Sequence, residues 1–460
     1  MDYFKVAKFF SLLPLVGIAI VTPSTMFPFI VGKYVWFRTV IDIALILFCL
    51  GLLLNKQGAK DMYRRLAELF RKPLVIAVTI FVAVFLLAGF FGVRPLYSFW
   101  SNFERGEGGL QMLHFWSFFI LLLTLFRTEE DWKRVLKWAL AGGVLMAVYG
   151  FFAAFDVQGF LGARFKEFGS SFRFQGSIGN PAYVATYSIF MMFYVGYLLL
   201  KKSASQLKSA SGIFLWILLA FFLAVFLLAA TRGGFVGLGV SLLAVLAYVG
   251  FKHKRIRKMS VGIAVLFVIL VALLVGFRNT DMVKNIPGSR LLDLSVTSKT
   301  FQDRMIMWET AWNGFLERPV LGWGPENFLL VFDQHFNTEY YTPEEGFGAW
   351  FDRAHNIYLD YLVSTGIVGL LSFLAIFATF YVQFFRYSGK TDVIQKNGRV
   401  NKRVLLENGL FFGLLFAYLV QGIVLFDVSP IYMNIFLFLA LSVWKFGDLR
   451  KGLHNEKKKS

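Results

Sequence analysis

The sequence is poor in the residues on which water-soluble domains depend. Only 16% of its 460 residues are charged, whereas 57% are hydrophobic. Polar side chains in that proportion cannot cover the apolar surface of a folded chain, so the composition predicts that a lipid bilayer is the solvent. The 11 prolines are few, which suits long apolar helices better than the alternating strands of an outer-membrane barrel. A single cysteine, Cys49, excludes a disulfide framework.

Several familiar ligand-binding patterns are also missing. The chain has no Walker A loop and no G-x-G-x-x-G dinucleotide motif, which argues against a protein whose activity is driven by nucleotide hydrolysis. The histidines lack the spacing of metal ligands; they are His114, His253, His335, His355 and His454. The net charge of +19 comes from short basic runs between apolar stretches, so we expect no nucleic-acid partner. The sequence therefore predicts chemistry without a metal or a cofactor.

Apolar runs long enough to cross a bilayer, at about 17 to 25 residues each, dominate the chain. They lie near 9–31, 38–54, 74–92, 110–126, 136–155, 181–200, 212–230, 233–251, 259–277, 357–385, 404–426 and 431–447. Most of the 47 Lys and Arg residues fall in alternate loops, as the positive-inside rule requires. We therefore expect an all-α polytopic membrane protein with about 12 transmembrane helices and both termini in the cytoplasm. The first run lacks an A-x-A cleavage site, so we interpret it as a retained span and not as a signal peptide.

One segment is polar enough to fold outside the bilayer. We divide the chain into a bundle of the first nine helices, 1–277, an external loop, 278–356, the last three helices, 357–447, and a basic tail, 448–460. The tail suits a contact with anionic membrane lipid. Apolar residues recur at helical spacing in the loop and predict an amphipathic helix over 300–317: Phe301, Met305, Trp308, Trp312 and Phe315.

Two arginines are candidates for binding an anion. Arg232 follows Thr231 between two apolar runs, and an arginine at membrane depth costs at least about 2.5 kcal/mol. It either binds an anionic group beside the following glycines or reaches the interface as a turn residue. Arg304 precedes Trp308 by one helical turn. Its guanidinium suits phosphate oxygens, and a salt bridge to a nearby carboxylate is the alternative.

Other candidates flank the predicted spans. His355 and Asn356 lie where the external loop returns to the membrane, and an imidazole there can take a proton from a hydroxyl or be merely hydrogen-bonded. Gly366 and Gly369, in the next run, would admit a neighbouring helix or a lipid chain. Arg105 either adds to an anion site or pairs with its neighbouring glutamates. Asn180 and Pro181 together have the pattern of a helix cap.

These residues carry a resemblance to a known family. The sequence resembles the O-antigen ligase and O-antigen polymerase superfamily, membrane enzymes that move glycans from a polyprenyl diphosphate carrier. The likeness rests on four motifs: Thr231-Arg232-Gly233, Arg304-x-x-x-Trp308, the stretch from Pro319 to Phe328, and His355-Asn356 with Gly366 and Gly369. The turns Gly179-Asn180-Pro181 and Glu104-Arg105-Gly106 also resemble the family. It covers roughly residues 90–375 and is best defined over 180–370. A fold similar to that of C-type glycosyltransferases, with a large external loop, is implied.

The resemblance also implies an activity, which we state as an expectation. A glycan would pass with inversion, and without a metal, from undecaprenyl diphosphate to an acceptor hydroxyl at the outer face of the cytoplasmic (inner) membrane. The external loop would then be periplasmic or extracellular, and the acceptor would be the lipid A core, a growing polysaccharide or a protein. The expected catalytic residues are His355, Arg232 and Arg304. The expected substrate-binding residues are Arg105, Asn180, Trp308, Asn327 and Asn356.

Two other functions are compatible with the residues alone. A transporter or flippase of lipid-linked saccharides would also place arginines near an anionic head group. Transporters usually contain inverted repeats, and we find no matching halves in this sequence. A non-catalytic scaffold could bind cell-envelope glycan through loop tryptophans, namely Trp308, Trp312, Trp323 and Trp350. The glycan transferase is the leading hypothesis.

Overall fold

A computed structural model describes residues 2–102, 104–165, 172–277, 280, 299–338, 350–389 and 401–447. Across these residues the chain forms helices and loops without a strand, which confirms the predicted all-α class. The predicted basic tail and much of the external loop, 281–298 and 339–349, lie outside the described residues. In chain order the helices are α1 Tyr3–Phe10, α2 Val31–Leu54, α3 Lys56–Leu69, α4 Pro73–Phe90, α5 Pro95–Trp100, α6 Gly109–Leu125, α7 Glu129–Ala154, α8 Pro181–Leu200, α9 Ala204–Leu207, α10 Ala210–Leu228, α11 Arg232–Lys252, α12 Lys254–Gly276, α13 Lys299–Glu317, α14 Phe328–Gln334, α15 Ile357–Ser388, α16 Lys402–Gly422 and α17 Ser429–Gly447.

The chain divides into two compact units, each built from segments that are distant in sequence. The first unit combines Met1–Trp132, Val296–Gln383 and Gly422–Ser460. The second unit combines Lys133–Ser295 and Phe384–Gln421. Of the residues predicted to form the site, Arg232 and Asn180 belong to the second unit, whereas the others belong to the first.

Ten helices of the described residues are long and apolar enough to cross a membrane. They are α2, α4, α7, α8, α10, α11, α15, α16, α17 and the part of α12 at Ile256–Leu273. A shorter apolar helix, the 17-residue α6, lies at the predicted run 110–126. Each of these helices coincides with a run predicted from the sequence, and the chain is therefore a polytopic membrane protein.

The structure differs from the prediction at the first apolar run, 9–31, which is not one continuous helix. Only its first two residues belong to α1, and the chain continues in two short 3₁₀ turns and a loop. Proline lacks a backbone N–H and interrupts a helix, and Pro14 lies at the start of the first turn. The Leu13 carbonyl accepts hydrogen bonds from Val16 N at 3.3 Å, within the turn, and from Trp36 Nε1 at 3.0 Å. Local backbone geometry therefore overrides the apolar length of this run.

The long helix α15 is interrupted at Gly366, whose φ of 65° and ψ of −171° are not helical. The loop after α13 packs its backbone into the break, where Ile367 N donates to Pro319 O at 2.8 Å. A Cβ atom on Gly366 would lie 2.2 Å from Val320 O. Irregular backbone at membrane depth is tolerated where protein buries it. Gly366 therefore makes room for the loop 319–324, and not for the neighbouring helix or lipid chain that the sequence suggested.

Helix α13 confirms the predicted helix over 300–317. Its buried face carries Met307 and Ala311, which pack in a core cluster with Trp323 and other residues of the loop that follows. The predicted apolar stripe is only partly used within the protein, because Met305 and Trp312 remain 47% and 48% exposed. This side of the helix is one that a membrane surface would cover.

Candidate active site

Arg353 lies at the centre of a buried group of carboxylates where the predicted external loop ends. Its side chain is 8% exposed, and Glu326, which accepts a hydrogen bond from Nη2, is 4% exposed. Two further carboxylates, on Asp360 and Glu107, approach the guanidinium to 3.8 Å and 3.9 Å. Burial alone would lower the pKa of Arg353, but the surrounding carboxylates raise it well above its usual value. The guanidinium is therefore charged and held in one orientation.

Glu107 is a buried carboxyl that is mainly protonated at neutral pH. Burial raises its pKa to about 8, and the attraction of Arg353 does not offset this effect. Its Oε1 accepts a hydrogen bond from the backbone N–H of Ser429, at the start of α17, at 2.6 Å. The neutral carboxyl thus joins the turn before α6 to the beginning of α17 without adding a further buried negative charge to this group.

Arg105, a predicted anion-binding residue, is paired with Asp352. Its Nε and Nη2 donate to the two carboxylate oxygens at 2.6 Å and 2.9 Å, which is the bidentate geometry preferred by guanidinium groups. Burial raises the pKa of Asp352, but the hydrogen bonds from Arg105 outweigh it and the net direction is downward. The guanidinium carbons of Arg105 and Arg353 also lie 5.2 Å and 5.9 Å from the ring centre of Phe426. Arg105 therefore brings positive charge to this cluster through a fixed ion pair.

His355 is held between two aromatic rings in an uncommon backbone conformation. Its φ is 51°, in the left-handed region that residues other than glycine seldom adopt. Phe351 and Phe426 contact the imidazole edge-on, with ring centres 5.2 Å and 5.0 Å away. The Nδ1 atom lies 3.2 Å from the backbone oxygen of Arg353. Because a carbonyl oxygen only accepts, Nδ1 carries the proton and Nε2 is the basic nitrogen.

The imidazole of His355 is neutral at physiological pH. Burial is the main cause that lowers its pKa, and together with the positive charges of Arg304 and Arg105 it brings the pKa to about 4. The Arg353 carbonyl and the Asp352 carboxylate act in the opposite direction and are outweighed. A neutral ring with a basic Nε2 can accept a proton, and an anion bound beside it would strengthen it as a base because a negative charge favours the imidazolium form.

Arg304 and Trp308 lie one turn apart on α13, as the sequence predicted. The positive charge of Arg304 lowers the pKa of His355, so these two predicted site residues interact electrostatically within the first unit. The Trp308 ring contacts Phe301 edge-on at 6.3 Å between ring centres. Its indole Nε1 is buried without a hydrogen-bond acceptor among the described residues. An indole N–H in this state is a donor that a polar ligand could satisfy.

The three predicted asparagines have clear roles in the local structure. Asn356 Oδ1 accepts hydrogen bonds from the backbone N–H of Tyr358 and that of Leu359, at 3.0 Å and 3.2 Å, at the start of α15. Asn180 Oδ1 accepts from Ala182 N at 2.9 Å and caps α8. The third, Asn327, is buried, and its amide donates to Ser98 Oγ at 3.0 Å and to the Trp323 carbonyl at 2.8 Å. These contacts position the ends of helices and the loop after α13.

Arg232 is the first residue of α11, in the second unit. It follows Ala230, whose φ of 44° is left-handed, and Thr231, whose backbone is extended. Thr231 Oγ1 accepts a hydrogen bond from Arg173 Nη2 at 3.2 Å. Phe174 N also donates to Leu228 O at 2.9 Å, which holds the two segments side by side. Arg173 therefore brings a second guanidinium group to the turn before α11.

Several of these residues were missed by the sequence reasoning. Arg173 lies between two phenylalanines shortly before the Asn180 turn, and a lone arginine in such a stretch could have been noticed by the rule that drew attention to Arg232. Asp360 lies inside an apolar run and could have been found in the same way. Arg353 and Glu326 gave no local signal, because their partners are distant in sequence. Among the described residues, no group of three or more His, Cys, Asp or Glu side chains could hold a metal ion.

A comparison with known protein families gives a match over part of the chain. A family model described as O-antigen ligase matches residues 217–374. The matched segment contains Arg232, Arg304 and His355, together with Arg353 and Glu326. No curated protein matches the chain.

Proposed function

The chain carries an O-antigen ligase domain and is an integral membrane protein, and from this premise we propose that it transfers a glycan from undecaprenyl diphosphate to an acceptor hydroxyl at the outer face of the cytoplasmic membrane. The observation that carries the proposal is the state of His355, a neutral imidazole with a basic Nε2 on which the positive charge of Arg304 acts. Such a pair suits a reaction that removes a proton from a hydroxyl beside an anionic leaving group.

In the proposed reaction the acceptor hydroxyl hydrogen-bonds to His355 Nε2 and its oxygen attacks the anomeric carbon of the donor. The bond between that carbon and the diphosphate oxygen breaks as the new glycosidic bond forms, which inverts the configuration. The hydroxyl proton passes to His355, and the bonding electrons leave with undecaprenyl diphosphate. Because the diphosphate is anionic, its presence raises the pKa of the nearby imidazole and makes His355 a better base when the donor is bound.

The positive groups would stabilise the leaving diphosphate. Arg304 is proposed for this role because its charge already acts on His355. Arg232 is proposed as a donor-binding residue because it begins α11, where backbone N–H groups favour an anion, and because the family resemblance includes it. Arg173 joins this proposal through its hydrogen bond to Thr231. Trp308 and Arg105 remain proposed substrate-binding residues. Arg105 would act through its charge, because Nε and Nη2 of its guanidinium group already donate to Asp352.

The test uses the purified full-length protein in a detergent extract of membranes from a strain that lacks the gene. These membranes supply the donor and the acceptor, and mass spectrometry of the glycoconjugates follows the product. We expect His355→Ala to abolish transfer while its amount in the membrane stays normal. The matched control is His335→Ala, because His335 is also a histidine of the external segment but pairs with Glu317 at 3.0 Å.

The same experiment separates the proposal from its alternative. A detergent extract has no compartments, so a flippase cannot produce a product there, whereas a transferase joins donor to acceptor. Wild-type rates in both His355→Ala and Arg232→Ala would overturn the assignment of the site. The identity of the glycosylated molecule distinguishes a lipid A core, a growing polysaccharide and a protein as acceptors.

A further inference from the structure

Three residues other than glycine with left-handed φ values, one of which is His355, are linked by hydrogen bonds through Arg353. Ser101, Glu326 and His355 have φ values of 66°, 69° and 51°. Ser101 Oγ donates to Glu326 Oε2 at 2.5 Å, and the other oxygen of Glu326 accepts from Arg353. The carbonyl of Arg353 in turn accepts from His355 Nδ1. Backbone strain of this kind persists only where the surroundings hold it, and it concentrates at functional sites.

The segment from Arg353 to His355 is held at each of its residues. The side chain of Arg353 is fixed by Glu326, and the backbone N–H of Ala354 donates to Asp360 Oδ1 at 3.2 Å. The ring of His355 is fixed by the Arg353 carbonyl and by the two flanking phenylalanines. A rotation of the Arg353 backbone would therefore move the Arg353 carbonyl, the hydrogen-bond acceptor that determines which imidazole nitrogen carries the proton.

We propose that Glu326 is a positioning residue that acts through Arg353 to hold the tautomer and direction of the His355 ring. This inference rests on the proposed function, in which His355 is the base. Glu326 does not touch the imidazole itself. Its contribution is to keep the Arg353 carbonyl beside Nδ1, so that Nε2 presents its lone pair to the acceptor.

A purely structural role for this ion pair makes a different prediction. Removing one partner of a buried pair destabilises a protein wherever the pair lies, but it alters the titration of a distant group only if it alters that group's surroundings. The charged groups that affect His355 are Arg304, Arg105 and Asp352, with the Arg353 carbonyl as hydrogen-bond partner. If Glu326→Gln loosens the loop, water reaches the ring, and the pKa of His355 rises toward its ordinary value.

The test compares Glu326→Gln with wild type in the detergent assay, using a synthetic undecaprenyl diphosphate-linked glycan as the donor probe. We expect kcat to fall about 10- to 100-fold, as for a misplaced catalytic group, with KM for the donor nearly unchanged. The acid limb of kcat/KM should move to higher pH. Glu326→Asp should recover part of kcat, because it keeps the charge that holds Arg353.

The matched control is Lys8→Met, which breaks a partly buried ion pair between Lys8 and Asp131 elsewhere in the first unit. It should lower thermal stability without changing the acid limb. If Glu326→Gln does not accumulate in the membrane, Ser101→Ala removes only the hydrogen bond to Glu326 and should shift the limb in the same direction. An acid limb and kcat that stay at wild-type values in the variants that accumulate would overturn the inference. The proposed function would survive that result as long as His355→Ala is inactive.

Discussion

Replacing Gly366 by alanine should strongly destabilise the first unit. The backbone at φ 65° and ψ −171° lies in a region that is almost restricted to glycine, and holding another residue there costs about 1–3 kcal/mol. The added methyl group would also lie 2.2 Å from Val320 O and 2.6 Å from Leu321 N, both backbone atoms that cannot rotate away. Overpacking of this kind costs about 1–3 kcal/mol more. The expected total is about 2–6 kcal/mol.

The measurement is the apparent Tm of the purified protein in detergent, with glycan transfer measured in parallel. The matched control is Gly262→Ala, because Gly262 also lies in an apolar span but has helical backbone and no atom within 4 Å of its added methyl group. That change should be neutral or stabilise the helix by up to about 1 kcal/mol. A Gly366→Ala protein as stable as wild type would refute the packing of the loop 319–324 against the break in α15.

Two further predictions concern His355 and the capping of α8. Only the neutral imidazole can accept a proton, and burial lowers the pKa of His355 from 6.5 to about 4, so the acid limb of kcat/KM should lie near pH 4. An acid limb near 6.5 in a pH titration of the initial rate would contradict the buried position of the ring. Asn180→Ala should lower stability by about 0.5–2 kcal/mol because it removes the cap of α8, whereas Asn180→Asp keeps an acceptor there. Thermal unfolding of both variants checks this, and an equal loss in the two would count against capping.

The sequence alone determined most of the helical framework. The length of an apolar run and the charge of a loop depend only on composition over a window of residues. Membrane-spanning helices can therefore be predicted from them without knowledge of any tertiary contact. The same reasoning holds for α13, whose spacing of apolar residues predicted a helix over 300–317. It failed at 9–31, because a hydropathy count does not register that a proline and an indole donor rearrange the local backbone.

The tertiary structure alone decided the surroundings of the imidazole. The sequence singled out His355, but its protonated nitrogen depends on a carbonyl position that is set by the ion pair of Arg353 with Glu326, 27 residues away. Arg105 was noticed as a charge, yet its partner Asp352 is 247 residues distant. Local patterns do not record such pairs, because the chain must fold before the two groups share a low-dielectric environment. That environment, and not the residue type, lowers the pKa of His355.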